Sequence, residues 1–266
     1  ANAAKVGVWG RYEDFEAINI RGTDNVIAAC RDAGVQRLVF TSSASVVFGG
    51  SDLEGVDESV PYASVPGGHY ARTKGEAEQR VLAAADDSLA TVALRPHLIW
   101  GPADPHLVGR ILVRARQGPV SVIGDGSNQI DTTYIENAVA AHLLADERMA
   151  AGSACTGKAY FITDGEPLTI RAFLDRILEA ADLPPVARTI STGTARRAAS
   201  FLEWLYRTFK IAGEPEITRF VVEEFIHAHW FDIGAARRDF GYAPHVSVEE
   251  GFQRLRQSFF PETEAL

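Results

Sequence analysis

Sulfur is scarce in these 266 residues: Cys30 and Cys155 are the only cysteines, and Met149 is the only methionine. Two thiols cannot build a disulfide framework, so a packed core has to hold the fold, and Cys30, inside a helical pattern, reads as a small buried hydrophobe. Long apolar runs are missing too. None approaches the ~18 residues that span a bilayer, and the N-terminus has neither the basic nor the apolar region of a secretory signal. A cytoplasmic protein without a transmembrane segment is expected. There is no basic surplus, because 26 Lys and Arg stand against 35 Asp and Glu for a net charge of -9. This balance argues against a nucleic-acid partner, since phosphate binding needs clustered cations and the densest here are the pairs Arg196-Arg197 and Arg237-Arg238.

What is present is alternation. Residues 12 to 33 carry an amphipathic helical pattern closed by Gly34, whose missing Cβ suits the left-handed residue that ends a helix. The β-rich run from Arg37 to Thr41 follows, and then the small polar residues Ser42, Ser43, Ala44 and Ser45. Helices are predicted over 69–85, 106–117 and 136–149, with strands over 90–95 and 120–123. Strands alternating with crossover helices imply an α/β fold, a doubly wound parallel sheet covered on both faces. From about residue 158 one more strand leads into mostly helical segments, so the expected division is 1–157 and a smaller lobe over 158–266. Ser247 and Glu250 form the S-x-x-E pattern of a helix start.

Tyr70-Ala71-Arg72-Thr73-Lys74 places two side chains with linked chemistry one helical turn apart. A free tyrosine, with a pKa near ~10, is a poor base at neutral pH; a neighbouring ammonium stabilises the phenolate and brings it toward the working range. Ser43 adds the context. It stands at the carboxyl end of the preceding strand, where open parallel sheets bind ligands, and its hydroxyl can hold the oxygen whose proton Tyr70 gives or takes.

Four stretches carry a resemblance. They are Asn19-x-x-Gly22-Thr23-x-Asn25-Val26, the run from Val35 to Phe48, Tyr70-x-x-x-Lys74, and Leu94-Arg95-Pro96-His97-x-Ile99-x-Gly101-Pro102. In this order they resemble the extended short-chain dehydrogenase/reductase superfamily, the NAD-dependent epimerase/dehydratase enzymes with Rossmann-like domains. Arg95 to Pro105 and the segment Gly124-x-Gly126-x-Asn128-x-x-Asp131-x-Thr133-Tyr134-x-x-Asn137 are most similar to the 3β-hydroxysteroid dehydrogenase, sterol-4-carboxylate 3-dehydrogenase and 2-alkyl-3-oxoalkanoate reductase branch. The resemblance implies an oxidoreductase using NAD or NADP on a small hydrophobic substrate that has a secondary alcohol or ketone and can carry a carboxyl group on the neighbouring carbon. It implies catalytic Ser43, Tyr70 and Lys74, with Tyr70 as acid/base and Lys74 lowering its pKa. Ala3, Thr41, Tyr70, Lys74, Pro96 and His97 are expected along the cofactor, and Asn19 on the active-site side of its helix. No metal is expected, and a homodimer is compatible with the sequence.

One expected feature has no counterpart. A dinucleotide fold of this kind opens with a strand, a glycine-rich turn and a helix that holds the diphosphate, and neither G-x-x-G-x-x-G nor G-x-G-x-x-G occurs in the chain. Ala1 to Ala4 match the end of the family's fourth strand, so an N-terminally shortened cofactor domain is expected. A nucleotide-sugar epimerase/dehydratase, or a non-catalytic fragment without the diphosphate site, are the alternatives.

Other patterns point to no further site. The stretch 152–158 imitates a phosphate loop but has Ala159 where a hydroxyl is needed, and it leads into a strand. His227 and His229 have no third ligand at metal spacing and read as packed or solvated. Phe201, Leu202, Leu205 and Phe209 fall on one stripe of a helix over 196–209 and are expected to pack on their own domain, the other readings being a lid or a membrane-surface helix.

Overall fold

The computed structural model describes residues 4–65 and 67–260. The chain opens with α1 (Tyr12–Phe15), a π-helical turn over Glu16–Arg21, and α2 (Gly22–Asp32). Gly34 follows at φ 66, the left-handed residue expected there. Next come β1 (Arg37–Thr41), a 3-10 turn over Ala44–Val47, β2 (Leu53–Val56), α3 (His69–Ala83) and β3 (Ala90–Pro96). Beyond them lie β4 (Ile99–Trp100), α4 (Val108–Gln117), β5 (Ser121–Ile123), β6 (Gln129–Ile130), β7 (Thr133–Tyr134) and α5 (Ile135–Arg148). The second half runs β8 (Lys158–Ile162), β9 (Leu168–Thr169), α6 (Ile170–Ala180), β10 (Arg188–Ile190), α7 (Thr192–Phe209), α8 (Arg219–Ile226), β11 (His229–Phe231), α9 (Gly234–Phe240) and α10 (Val248–Phe259).

The central sheet has the order β1-β3-β8 and is parallel throughout. All seven residues of β3 are buried, as a strand covered on both faces requires. On one face Leu38, Phe40 and Ala93 pack with Ala77 and Val81 of α3. On the other, Val92, Leu94 and Phe161 share a core with Ala141 and Ala145 of α5 and with Phe231, Phe240 and Tyr242 from the end of the chain. The second half thus contributes both a strand and core side chains to the central sheet.

A second core gathers Trp100, Leu112, Phe173, Ile177, Phe252 and Leu255 from β4, α4, α6 and α10. The two regions are braced by the segment singled out at Asp131 to Asn137. Thr133 Oγ1 lies 2.8 Å from the carbonyls of both His97 and Ile162. Asn137 Nδ2 donates to Asp164 and to the Val246 carbonyl, and Asp131 Oδ2 accepts from the Phe231 amide. These polar residues are buried because they satisfy backbone groups where strands from distant parts of the chain end.

Three expectations change. The stripe on α7 packs inward only in part: Leu202 and Leu205 are half-buried, but Phe201 and Phe209 are 58% and 65% exposed, and the nearby Trp204 is exposed as well. The buried face carries Ala195, Ala199 and Glu203, and the two alanines, having no bulk beyond Cβ, sit close against Val222 of α8. Cys30 is only half-buried, at the rim of the α3 core. The Ser247 hydroxyl caps α10 by accepting from the Glu250 amide at 3.1 Å, whereas Glu250 reaches forward to Arg254 and leaves the reciprocal half of the box unmade.

Candidate active site

The site forms where β1 and β3 end side by side, with Thr41 in register with Leu94. After Thr41 the backbone turns, and Ser43 caps the 3-10 turn by accepting from the Ser45 amide. This leaves the Ser43 hydroxyl 2.8 Å from Ser45 Oγ and near the Tyr70 hydroxyl, whose pKa it lowers. Tyr70 lies in the first turn of α3, and Lys74 lies one turn on. Ser43 and Tyr70 are therefore neighbours, with Lys74 further along α3.

The position of α3 is fixed from outside. Asn19, buried in the π-helical turn, donates from Nδ2 to Thr73 Oγ1 at 3.0 Å and holds the Lys5 backbone through both polar atoms. Asn19 thus acts on the α3 backbone between Tyr70 and Lys74. A π-turn widens the helix by one residue, which is a common device for aiming a side chain at a site.

Lys74 departs from expectation. Its Nζ donates to the Thr41 carbonyl at 2.6 Å and lies over the Phe40 ring at 4.0 Å. Burial lowers its pKa to about 8, against the attraction of Glu78. Tyr70 moves opposite to the expected direction: burial of its hydroxyl pushes it up to about 12, the Ser43 hydrogen bond opposes the rise, and the Glu224 carboxyl adds to it. In the chain alone the loss of water around the phenol outweighs any help from the ammonium, which is engaged by a carbonyl.

The residues expected along the cofactor fall into three groups. Thr41 ends β1, with its hydroxyl 2.7 Å from His142 Nε2 and its carbonyl bound to Lys74. Pro96 ends β3 in register with Ile162, and His97 follows it. Ala3 lies outside the described residues. The nicotinamide end of a dinucleotide fits this edge: beside Tyr70 and Lys74, the buried Ser42 hydroxyl has no hydrogen-bond partner among the described residues.

His97 turns away from the strand ends. Leu98 takes a left-handed φ of 43, which swings the chain out of the central sheet toward β4. The His97 ring then meets His229 and Phe231 edge-on at 5.6 and 5.4 Å. His97 and His229 line a cavity with Glu224, and its remaining walls are apolar, among them Leu98, Leu107, Ile130, Phe173 and Phe225. Glu224 couples the cavity to Tyr70. The residue keeps some exposed surface, but protein surrounds its carboxyl and raises the pKa to about 8. Desolvation lowers His229 to about 4 and His97 well below its ordinary value. All three are therefore uncharged at neutral pH.

Sequence reasoning missed Glu224 altogether and set His229 aside. The only signal for Glu224 is a second acid in the apolar helix Arg219–Ile226, whose neighbour Glu223 pairs outward with Arg196. His227 bonds Asp52 at 3.0 Å, and among the described residues no three potential ligands converge on a metal site. Nor is any helix among them long and apolar enough to cross a membrane.

A parallel-stranded α/β fold with a Ser-Tyr-Lys cluster at the strand ends defines an oxidoreductase class, and the chain belongs to the 3-beta hydroxysteroid dehydrogenase/isomerase family, whose model matches residues 2–191. The chain is 52% identical over 259 residues to a 2-alkyl-3-oxoalkanoate reductase of Stenotrophomonas maltophilia, covering 97% of this chain and 78% of that protein. It is 39% identical over 252 residues to the decarboxylating sterol-4-alpha-carboxylate 3-dehydrogenase of Mus musculus, covering 93% and 70%. Among solved structures, UDP-glucose 4-epimerase of Thermus thermophilus in complex with NAD shares the fold, with a TM-score of 0.69 at 23% identity over 98% of this chain and 77% of that one. The family is enzymatic and NAD(P)-dependent.

Proposed function

We propose that this chain carries the catalytic centre of an NAD(P)-linked reductase that interconverts a ketone and a secondary alcohol on a hydrophobic oxo acid, with Tyr70 as the acid/base. The observation that carries the reading is the placing of the Ser43 and Tyr70 hydroxyls at the end of β1, where the Tyr70 phenol also feels the carboxyl of Glu224 from the apolar-walled cavity. Residues 1–157 supply the cofactor side of the site, with Ser43, Tyr70 and Lys74. The part from 158 on, apart from β8, mostly walls the substrate.

A bound nicotinamide supplies or accepts the hydride at the carbinol carbon. The Ser43 hydroxyl holds the substrate oxygen in the same cluster as the Tyr70 hydroxyl. With a pKa of about 12, Tyr70 is protonated at neutral pH and so is ready to give its proton as the carbonyl becomes an alkoxide. At rest the residue is thus set to act as the acid in reduction, and it must first lose its proton to act as the base in oxidation. Lys74 fixes the end of β1 through the Thr41 carbonyl and presents positive charge beside the site.

Of the substrates named for the two relatives, a 2-alkyl-3-oxo acid suits the cavity better than a sterol carboxylate. The cavity measures about 30 Å³ and is walled by Leu, Ile and Phe side chains. The carboxyl end of an oxo acid fits this space while its flexible alkyl chain adapts to the surface outside, whereas a rigid ring system has to displace the walls together. The test follows nicotinamide absorbance with 2-alkyl-3-hydroxy acids, hydroxysteroids and UDP-sugars. Net turnover of the hydroxy acids is expected, and net turnover on UDP-sugars alone would overturn the reading.

A further inference from the structure

Three polar groups in the cavity are not used by the reaction as derived, and their arrangement is unusual. His97 and His229 are only 7% and 3% exposed, and the Nε2 atoms of both are buried with no hydrogen-bond partner among the described residues. A buried ring nitrogen left without a partner is costly, and such exceptions in folded proteins call for an explanation. The two rings stand nearly perpendicular, at 89°, with centroids 5.6 Å apart, and both line the same cavity. Glu224 lines it with them, and its carboxyl is near enough to Tyr70 to raise the phenol's pKa.

The architecture keeps these groups where they are. The His97 backbone is pinned by Thr133, whose hydroxyl lies 3.2 Å from the His97 amide and 2.8 Å from its carbonyl. The His229 ring packs edge-on against Phe48 at 4.6 Å, and its carbonyl accepts from the Asp131 amide at 2.7 Å. The outward pair of Glu223 with Arg196 holds α8 so that the next residue, Glu224, faces the cavity. No Lys or Arg is among the residues lining it, so nothing there offers a formal cation.

The size of the space restricts what these atoms can meet. A water molecule needs roughly 10–15 Å³ of such volume. About 30 Å³ therefore holds two oxygen atoms, the number in a carboxyl group. Neutral imidazoles and a neutral carboxylic acid can each present a hydrogen to those oxygens without repelling them, and the apolar walls keep competing water out.

We propose that His97, His229 and Glu224 form a carboxyl-recognition subsite beside Tyr70, which makes the enzyme specific for substrates carrying an acid group next to the carbon that is oxidised or reduced. The subsite rests on the reductase reading above and deepens it. It assigns specificity to residues outside the Ser43, Tyr70 and Lys74 cluster. Glu224 must act in its neutral form, because a carboxylate at that position would repel the acid it is meant to hold. A glutamine, neutral and with an N–H to donate, should therefore replace it, and a leucine should not.

The experiment compares kcat/KM for a 2-alkyl-3-hydroxy acid and for its methyl ester in the wild type, Glu224→Gln, Glu224→Leu and His229→Phe. The wild type is expected to prefer the acid by about tenfold or more, the worth of one hydrogen bond to a charged group. Glu224→Leu and His229→Phe should bring the acid-to-ester ratio close to one, mainly through KM for the acid, while Glu224→Gln keeps most of the preference. An unchanged ratio in both Glu224→Leu and His229→Phe would overturn the proposal. Calorimetric titration with an unreactive 2-alkyl carboxylic acid tests the subsite without turnover: binding should weaken in the same two variants, and equal binding overturns it. If the wild type turns over neither acid nor ester yet binds the inert acid through these residues, the reductase reading fails and the subsite stands.

Discussion

Lys74 donates to the backbone carbonyl of Thr41 at 2.6 Å, so the cation that follows Tyr70 by one helical turn is tied to the end of β1. Helix α3 and the sheet edge are thereby locked together at the point where the chemistry takes place. The lock has a cost that depends on pH. Burial lowers Lys74 from the ordinary lysine range to about 8.

The sign of that dependence follows from proton counting. Between about pH 8 and the ordinary lysine value near ~10.5, the unfolded chain holds the lysine proton more firmly than the folded one. The penalty for burying the ammonium is fully present below pH 8 and fades as pH rises through that window. Urea unfolding of the wild type and Lys74→Met should therefore show the wild type gaining on the variant between pH 8 and 10.5. Parallel pH profiles would contradict the burial of Lys74.

Glu224 gives the opposite slope. Its folded pKa of about 8 lies above the ordinary glutamate value, so the folded chain holds this proton where the unfolded chain has lost it. The residue's contribution is fully present below about pH 4.5 and declines as pH rises toward 8, with Tyr70, His97 and His229 the titratable groups facing it. Thermal unfolding should find the wild type falling behind Glu224→Gln between pH 5 and pH 8.5, at roughly 2–4 °C per kcal/mol. A difference that stays constant with pH would place the carboxyl in water.

Glu78 and Arg95 form a buried ion pair at 2.6 Å under the site, with the Tyr62 hydroxyl donating to the same carboxylate at 2.6 Å. Arg95→Met strands that carboxylate in the core and should cost about 3–5 kcal/mol. Adding Glu78→Leu removes the stranded charge, so the double variant should recover part of the loss, as read from urea midpoints. Additive losses would show that the two side chains do not act as a pair.

Gly251 lies inside α10, where helix propensity alone favours Gly251→Ala by about 1 kcal/mol. Packing reverses the sign. A Cβ there would come within 2.9 Å of both Trp100 and Tyr134, whose rings are fully buried in the second core. The variant should melt several degrees below the wild type, whereas a higher melting temperature would mean that this core yields easily.

The central sheet was legible because its signals are local. β1, α3 and β3 each carry a period and an end signal within a short window, and Ser43, Tyr70 and Lys74 sit at those ends. Glu224 was not legible, because only tertiary packing distinguishes it from Glu223, and the two face opposite surroundings. His229 does pack, edge-on against Phe48, as its sequence neighbours suggested; what they could not show is the cavity it also lines, completed by His97 more than a hundred residues away. On α7 the apolar stripe was right for its leucines and wrong for its two phenylalanines, since two alanines let the helix approach α8 more closely than its aromatic residues could. The Tyr70 pKa was reversed because spacing reveals a neighbouring charge but not the loss of water around the phenol.

Tyr70→Phe tests the central claim most directly. The variant keeps the ring and loses only the hydroxyl near Ser43, so its fold and melting temperature should stay close to those of the wild type. Oxidation of a 2-alkyl-3-hydroxy acid, followed by nicotinamide absorbance, is expected to fall by about 10²–10⁴-fold in kcat with little change in cofactor binding. Turnover at the wild-type rate would contradict the assignment of Tyr70 as the acid/base.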